Sequence, residues 1–172
     1  MQSLQLVSKS DPILRQVCEP VDFEKPPFDL SEFAVELVKF MIDNRGIGLA
    51  ANQVGVPYRI FAMKAAPQNF VCINPRVVMP SEETILLEEG CLSYPNLFVK
   101  IRRPRHVRVR FQMPNGEVRT EMFTGMTARC FQHELDHLDG KVFLEQAGEY
   151  HQRQAMDNAR KLAKQIERRS KK

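Results

Sequence analysis

Two of the four histidines stand four positions apart, in His133-Glu134-Leu135-Asp136-His137. On an α-helix, residues at that spacing share one face one turn apart, so both imidazoles can close on a single ion. Glu134 projects about 80° from the midpoint of that face. A carboxylate there flanks the ion without ligating it and can take a proton from water that the ion has acidified. The pattern points to metal-assisted hydrolysis. Two histidines do not complete such a site, which needs a third protein ligand and an open position. The chain continues Leu138-Asp139-Gly140-Lys141-Val142-Phe143, with Phe143 where one protease spacing would require a third histidine. Glu145, Glu149 and Glu167 lie downstream, and spacing alone leaves each open as the ligand of a zinc-dependent endopeptidase. Cys130 falls on nearly the same helix face, but about 7.5 Å along the axis from the midpoint of the histidines. A metal–sulfur bond of about 2.3 Å does not cover that gap. Cys130 is expected in the core or in a pocket wall.

Two further segments have chemical potential. Glu89-Gly90-Cys91-Leu92-Ser93 ends a β-like run and enters what reads as a loop containing Pro95. A loop cysteine followed by free backbone N–H groups suits a thiolate ligand beside an anion-stabilising donor, although a buried loop cysteine is the commoner outcome. Gly46-Ile47-Gly48-Leu49-Ala50-Ala51-Asn52-Gln53 is small and apolar, and it does not complete a phosphate-binding glycine pattern. Such a run lets a backbone approach a strand or a ligand closely, and Gln53 can then offer an amide donor to a carbonyl oxygen. A tightly packed turn is the alternative reading.

These side chains need elements to hold them. Ser10-Asp11-Pro12 opens a short helical turn. Leu30, Phe33, Ala34, Leu37, Val38 and Met41 recur at helical spacing and predict an amphipathic helix ending near Gly46. Residues 59–63, 77–78 and 85–87 read as strands. Val107, Val109 and Phe111 alternate with Arg108, Arg110 and Gln112, Pro114-Asn115-Gly116 turns, and residues 118–123 return as a hairpin. Helices are predicted over about 127–138 and 152–168, the latter with Met156, Ala159, Leu162, Ala163 and Ile166 along one face. The expected fold is α+β: mixed, mostly antiparallel sheets around a central metal-binding helix, with an N-terminal and a C-terminal helix.

The chain has 172 residues, 43% of them apolar and 27% charged, which suits one globular core and excludes disordered, collagen-like and disulfide-stapled classes. No apolar run is long enough to span a membrane, and the start at Met1 lacks the apolar core of a secretory signal. A cytoplasmic protein is expected, or an organellar one were a transit segment to precede Met1. The four cysteines form no C-x-x-C pair and are expected as thiols or a metal ligand. Eight basic and three acidic residues after Gly148 give that segment +5, against −1 for the first 148 residues. Residues 1–148 are therefore read as the catalytic domain and residues 149–172 as a basic helical tail. A near-neutral body argues against sequence-specific nucleic-acid binding, whereas the tail could dock on ribosomal RNA.

The three motifs taken together, at residues 46–53, 89–93 and 132–137, resemble those of the peptide deformylases: Gly-apolar-Gly-apolar-Ala-Ala-x-Gln, Glu-Gly-Cys-apolar-Ser and Gln-His-Glu-apolar-Asp-His. Asp11-Pro12-Ile13-Leu14-Arg15 is also similar to the family's N-terminal segment. The resemblance implies hydrolytic removal of the N-formyl group from the formyl-methionine of nascent polypeptides. It implies Cys91, His133 and His137 as metal ligands, with water in the fourth position and Glu134 as general base. It further implies Gln53 and the Leu92 N–H as donors to the oxyanion, and Ile47, Gly48, Met126 and Cys130 along the substrate. Arg129 stands where some relatives have an apolar pocket residue. Glu89 and Asp136, adjacent to ligands, are candidates for orienting them. Relatives commonly use Fe²⁺, so Fe²⁺ is the expected cofactor, with Zn²⁺, Ni²⁺ or Co²⁺ after purification.

Overall fold

Seven strands and three α-helices make up the computed structural model, which describes residues 4–170. Met1 and the final lysines of the tail, Lys171 and Lys172, lie outside the described residues. A 3-10 turn, Pro12–Arg15, opens the chain, with the Asp11 carboxylate accepting from the Ile13 N–H. Helix α1 (Leu30–Asp43) starts at Asp29, whose carboxylate accepts from the Ser31 and Glu32 N–H groups and satisfies donors that have no partner within the helix.

Strands β1 (Gly48–Ala50), β2 (Ile60–Ala65), β3 (Gln68–Pro80), β6 (His106–Gln112) and β7 (Val118–Thr124) form one antiparallel sheet in the order β1-β2-β3-β6-β7. β4 (Thr84–Cys91) and β5 (Tyr94–Pro104) form a separate two-stranded sheet. Among the described residues the single parallel pairing is an isolated bridge between Glu19 and Tyr58. The predicted β6–β7 hairpin is present, with Gly116 at φ +84° in its turn, where a Cβ would be strained.

Period-2 alternation gives the large sheet two apolar faces, and each binds a helix. Phe33, Leu37 and Met41 of α1 pack on the side carrying Ile60, Ala62 and Val71. On the other side, α2 (Gly125–Leu138) inserts Phe131 among Phe61, Phe111 and Phe123, with ring centroids 5.1, 6.5 and 5.8 Å away. Burying such a ring stabilises the helix against the sheet by about 1.5–3 kcal/mol. A third cluster joins Val99 and Ile101 of β5 to Val142, Phe143 and Ala155.

Two expectations change. Tyr94–Pro104 is a strand, not a loop: Val99, Ile101 and Arg103 point inward and Lys100 and Arg102 outward, while Pro95 sits near the start of β5, where a missing donor is tolerated. The charge on Arg103 hides that alternation in the sequence. Helix α3 (Glu149–Ser170) seats Ala155 against β5, whereas Met156 and Ile166 of the expected apolar face are 41% and 48% exposed. Among the described residues no helix is long and apolar enough to cross a membrane.

Candidate metal centre

Helix α2 lies between the sheets and presents His133, Glu134 and His137 at one end of its buried side. Cys91, at the end of β4, meets them. The donor atoms of Cys91, His133 and His137 lie within 4.8 Å of one another, and Cys91 Sγ is 3.2 Å from His137 Nε2. His133 Nδ1–H donates to Glu89 Oε2 at 2.9 Å, which fixes the tautomer and leaves Nε2 for an ion. The downstream glutamates are elsewhere: Glu145 pairs with Arg15 and Glu149 with Arg153, both at the surface, and Glu167 is exposed on α3. Among the described residues the donor atom that joins the two imidazoles is the Cys91 thiol, and an endopeptidase site completed by a downstream glutamate is not favoured.

A buried charge cluster backs this arrangement. Arg103 donates to Glu89 through Nε at 2.6 Å and Nη2 at 3.0 Å, and to Asp136 Oδ2 through Nη1 at 2.7 Å. Arg129 Nη1 donates to Glu89 Oε1 at 2.6 Å. Burial works against the charge of Glu89, yet the bonds from His133 and Arg103 hold its pKa at about 2. Burial also opposes a charged His133, but its bonds to Cys91 and Glu89 outweigh that and push the pKa up to about 10. Burial, reinforced by the charge of His133, drives His137 well below the ordinary imidazole range. A cation held by His133 would replace that proton, because a ligating imidazole is neutral.

Glu134 is 3% exposed, and its Oε2 has no hydrogen-bond partner. Burial raises its pKa to about 7. A buried carboxylate oxygen without a partner, beside three soft and borderline donors, is what a divalent cation and its water would satisfy, so the residues fit the metal. β1 comes so close that a Cβ on Gly48 would collide with Glu134 Oε1 and stand 2.7 Å from Cys130 Sγ. The close approach expected of the glycine-rich segment is therefore made to the carboxylate itself.

Gln53 Oε1 accepts from the Ala50 N–H at 2.8 Å, and its Nε2 donates to Ser93 Oγ at 2.9 Å and lies 3.5 Å from Cys91 Sγ. Cys130 is outside the donor cluster; its Sγ–H donates to the Ile47 carbonyl at 3.3 Å. A pocket of about 420 Å³ opens beside these groups, lined by Ile47, Gly48, Leu92, Met126, Cys130 and Glu134 among others. Arg129 also reaches its wall, with the guanidinium tied down by Glu89 and by the Ile85 and Ile101 carbonyls. Sequence reasoning missed Arg103 and Asn52. Asn52 Nδ2 donates to the His137 carbonyl at 2.7 Å and braces the end of the ligand helix. Inward alternation with Val99 and Ile101 was the available signal for Arg103; nothing local marked Asn52.

Cysteine and two histidines converging beside an unligated buried carboxylate make the donor set of a mononuclear metallohydrolase. The family model described as polypeptide deformylase matches residues 3–153. A peptide deformylase of Afipia carboxidovorans is 40% identical over 167 residues, covering 93% of this chain and 95% of that protein. The crystal structure of peptide deformylase from Thermotoga maritima superposes with a TM-score of 0.81 at 34% identity, over 86% of this chain and 99% of that one. A Met-Ala-Ser-bound peptide deformylase from Acinetobacter baumannii superposes at 0.77 with 29% identity, over 84% and 98%. The chain belongs to the peptide deformylase family. It is a metal-dependent enzyme that removes the N-formyl group from newly synthesised polypeptides.

Proposed function

We propose that Cys91, His133 and His137 hold the catalytic metal, that Glu134 is the general base and then the general acid, and that Gln53 and the Leu92 N–H receive the oxyanion. The observation that carries this reading is the convergence of three donor atoms within 4.8 Å beside the unpartnered Glu134 carboxylate. When bound, a divalent ion supplies Lewis acidity that makes water nucleophilic near neutral pH. Glu134 takes the proton of the attacking water and delivers it to the leaving amide nitrogen. As the formyl carbon becomes tetrahedral, its oxygen gains charge, and the Gln53 amide and the Leu92 N–H neutralise it in a site that excludes most water. Ser93 and the Ala50 N–H hold the Gln53 amide in one orientation, which supports this role. Ile47, Gly48, Met126 and Cys130 form the wall for the methionine side chain. The pinned head of Arg129 is consistent with an apolar wall, because its charge is spent on Glu89 and backbone carbonyls.

The ion is Fe²⁺ in the cell, exchanged for Zn²⁺, Ni²⁺ or Co²⁺ on purification. Residues 1–148 form the catalytic domain and residues 149–172 a basic tail whose exposed helical face docks on ribosomal RNA, and the enzyme works in the cytoplasm. The decisive assay is formate release from formyl-Met-Ala-Ser by Fe²⁺-loaded enzyme prepared without oxygen, beside Glu134→Ala. Formate from the wild type and almost none from the variant is expected; equal release would remove Glu134 from the mechanism. For the tail, cosedimentation with ribosomes across salt should weaken when Arg160, Lys161, Lys164, Arg168 and Arg169 become glutamine. Unchanged pelleting would end that reading.

A further inference from the structure

Cys91 belongs to the hairpin β4–β5, whereas His133 and His137 belong to α2. Among the described residues no strand pairing joins that hairpin to the five-stranded sheet. The separation of thiol and imidazoles is therefore set by whatever fastens the hairpin to the helix. Besides the His133–Glu89 bond, the Cys91–His137 contact and a bond from Gln132 Nε2 on α2 to the Pro104 carbonyl of β5 at 3.0 Å, two arginines do so. Arg103 reaches from β5 to Asp136 on α2. Arg129, one turn before His133, reaches the other way. Its Nη1 donates to Glu89 Oε1 at 2.6 Å and to the Ile101 carbonyl at 3.0 Å, and its Nη2 to the Ile85 carbonyl at 2.7 Å. Ile85 and Glu89 lie on β4 and Ile101 on β5, so one guanidinium grips both strands. The side chain is 3% exposed, and water does not replace these bonds if they are lost.

The geometry points to Arg129 as a positioning residue for the metal centre: it sets where Cys91 Sγ stands relative to the two imidazoles, acting through Glu89 and the hairpin backbone rather than on the ion. This rests on the ligand assignment proposed above. The device requires a planar fork, because three acceptors on two strands lie around one head group; an ammonium supplies the charge but not that fan of donors. Without the fork, the Ile85 and Ile101 carbonyls lose a buried donor, and the hairpin is held to α2 by fewer ties, those of Arg103, Gln132 and the His133–Glu89 bond, so its seat on the helix shifts. The thiol moves with it, while the histidines stay on a helix still packed through Phe131.

The test uses full-length Arg129→Lys and Arg129→Met proteins beside the wild type and Cys91→Ala. Each apo protein is titrated with Co²⁺ against a competing chelator, and the near-ultraviolet thiolate-to-cobalt charge-transfer band is read per bound ion. Both Arg129 variants are expected to bind Co²⁺ about 10–100-fold more weakly, the usual effect of removing a group that orients a ligand, and to show a weaker band per ion. Lysine should fare no better than methionine. A folded Arg129→Lys with wild-type affinity and band overturns the inference, since charge alone would then suffice. So does a variant with a lower unfolding temperature but unchanged affinity and band, which is a merely structural role. Should Arg129→Met fail to fold, Arg129→Lys still decides. A wild-type spectrum matching that of Cys91→Ala would overturn the ligand assignment, and this inference with it.

Discussion

Replacing Glu89 by glutamine keeps the shape of the side chain and removes its charge, and the structure says how much that charge contributes. Its carboxylate accepts four hydrogen bonds, from Arg103 Nε and Nη2, Arg129 Nη1 and His133 Nδ1, and the residue is 6% exposed. The bonds from His133 and Arg103 lower its pKa from 4.5 to about 2 against the opposing effect of burial. At 1.36 kcal/mol per pH unit, that difference corresponds to about 3 kcal/mol favouring the folded state when Glu89 is ionised. The folded pKa is the depressed one, so this contribution is fully present above pH 4.5 and is lost as pH falls from 4.5 through 2. In metal-free protein at pH 7, Glu89→Gln should thus be less stable by about 3 kcal/mol, a drop of roughly 6–12 °C in unfolding temperature for a chain of this size. The gap between variant and wild type should close as pH falls toward 2, because the wild type is then protonated too. Urea unfolding followed by circular dichroism at several pH values measures both quantities. A gap that is absent at pH 7, or that stays constant down to pH 2, would refute the reasoning.

Three further outcomes are expected. Gly48→Ala should lower kcat by about a hundredfold, as a displacement of the Glu134 carboxylate by about 1 Å would, with only a modest change in Co²⁺ affinity; an unchanged kcat would mean that β1 simply gives way. Alkylation by iodoacetamide at pH 8 should mark the half-buried Cys91 first and be blocked there by metal. Burial lifts the Cys18 thiol to about pKa 11, so only about a thousandth of it is thiolate at pH 8, and mass spectrometry showing Cys18 modified as fast as Cys91 would contradict this. Asn52→Ala removes the donor to the buried His137 carbonyl and should destabilise the protein by about 1–3 kcal/mol in chemical unfolding. Stability equal to wild type would show that the carbonyl finds another partner.

Local patterns already in the sequence determined a good deal. Helical spacing over residues 30–41 and alternation over residues 107–123 produced the elements they implied, because each depends on neighbours a few residues away. The four-residue spacing of His133 and His137, with Glu134 between them, dictated that two donors and a flanking carboxylate share one end of a helix, whatever surrounds it. The tertiary structure decided what depends on distance. Residue spacing near the histidines left a cysteine or any of three glutamates as the third donor, and the docking of β4–β5 onto α2 brings Cys91, and none of those glutamates, within 4.8 Å of the imidazole donors. Arg103 has no role read from the chain, and the resemblance places Arg129 only at a pocket position; folding shows them 6% and 3% exposed, sharing Glu89 and holding hairpin to helix. The physical reason is that a buried guanidinium is tolerable only where carboxylates and carbonyls from distant segments converge on it, and no local window of sequence contains that convergence.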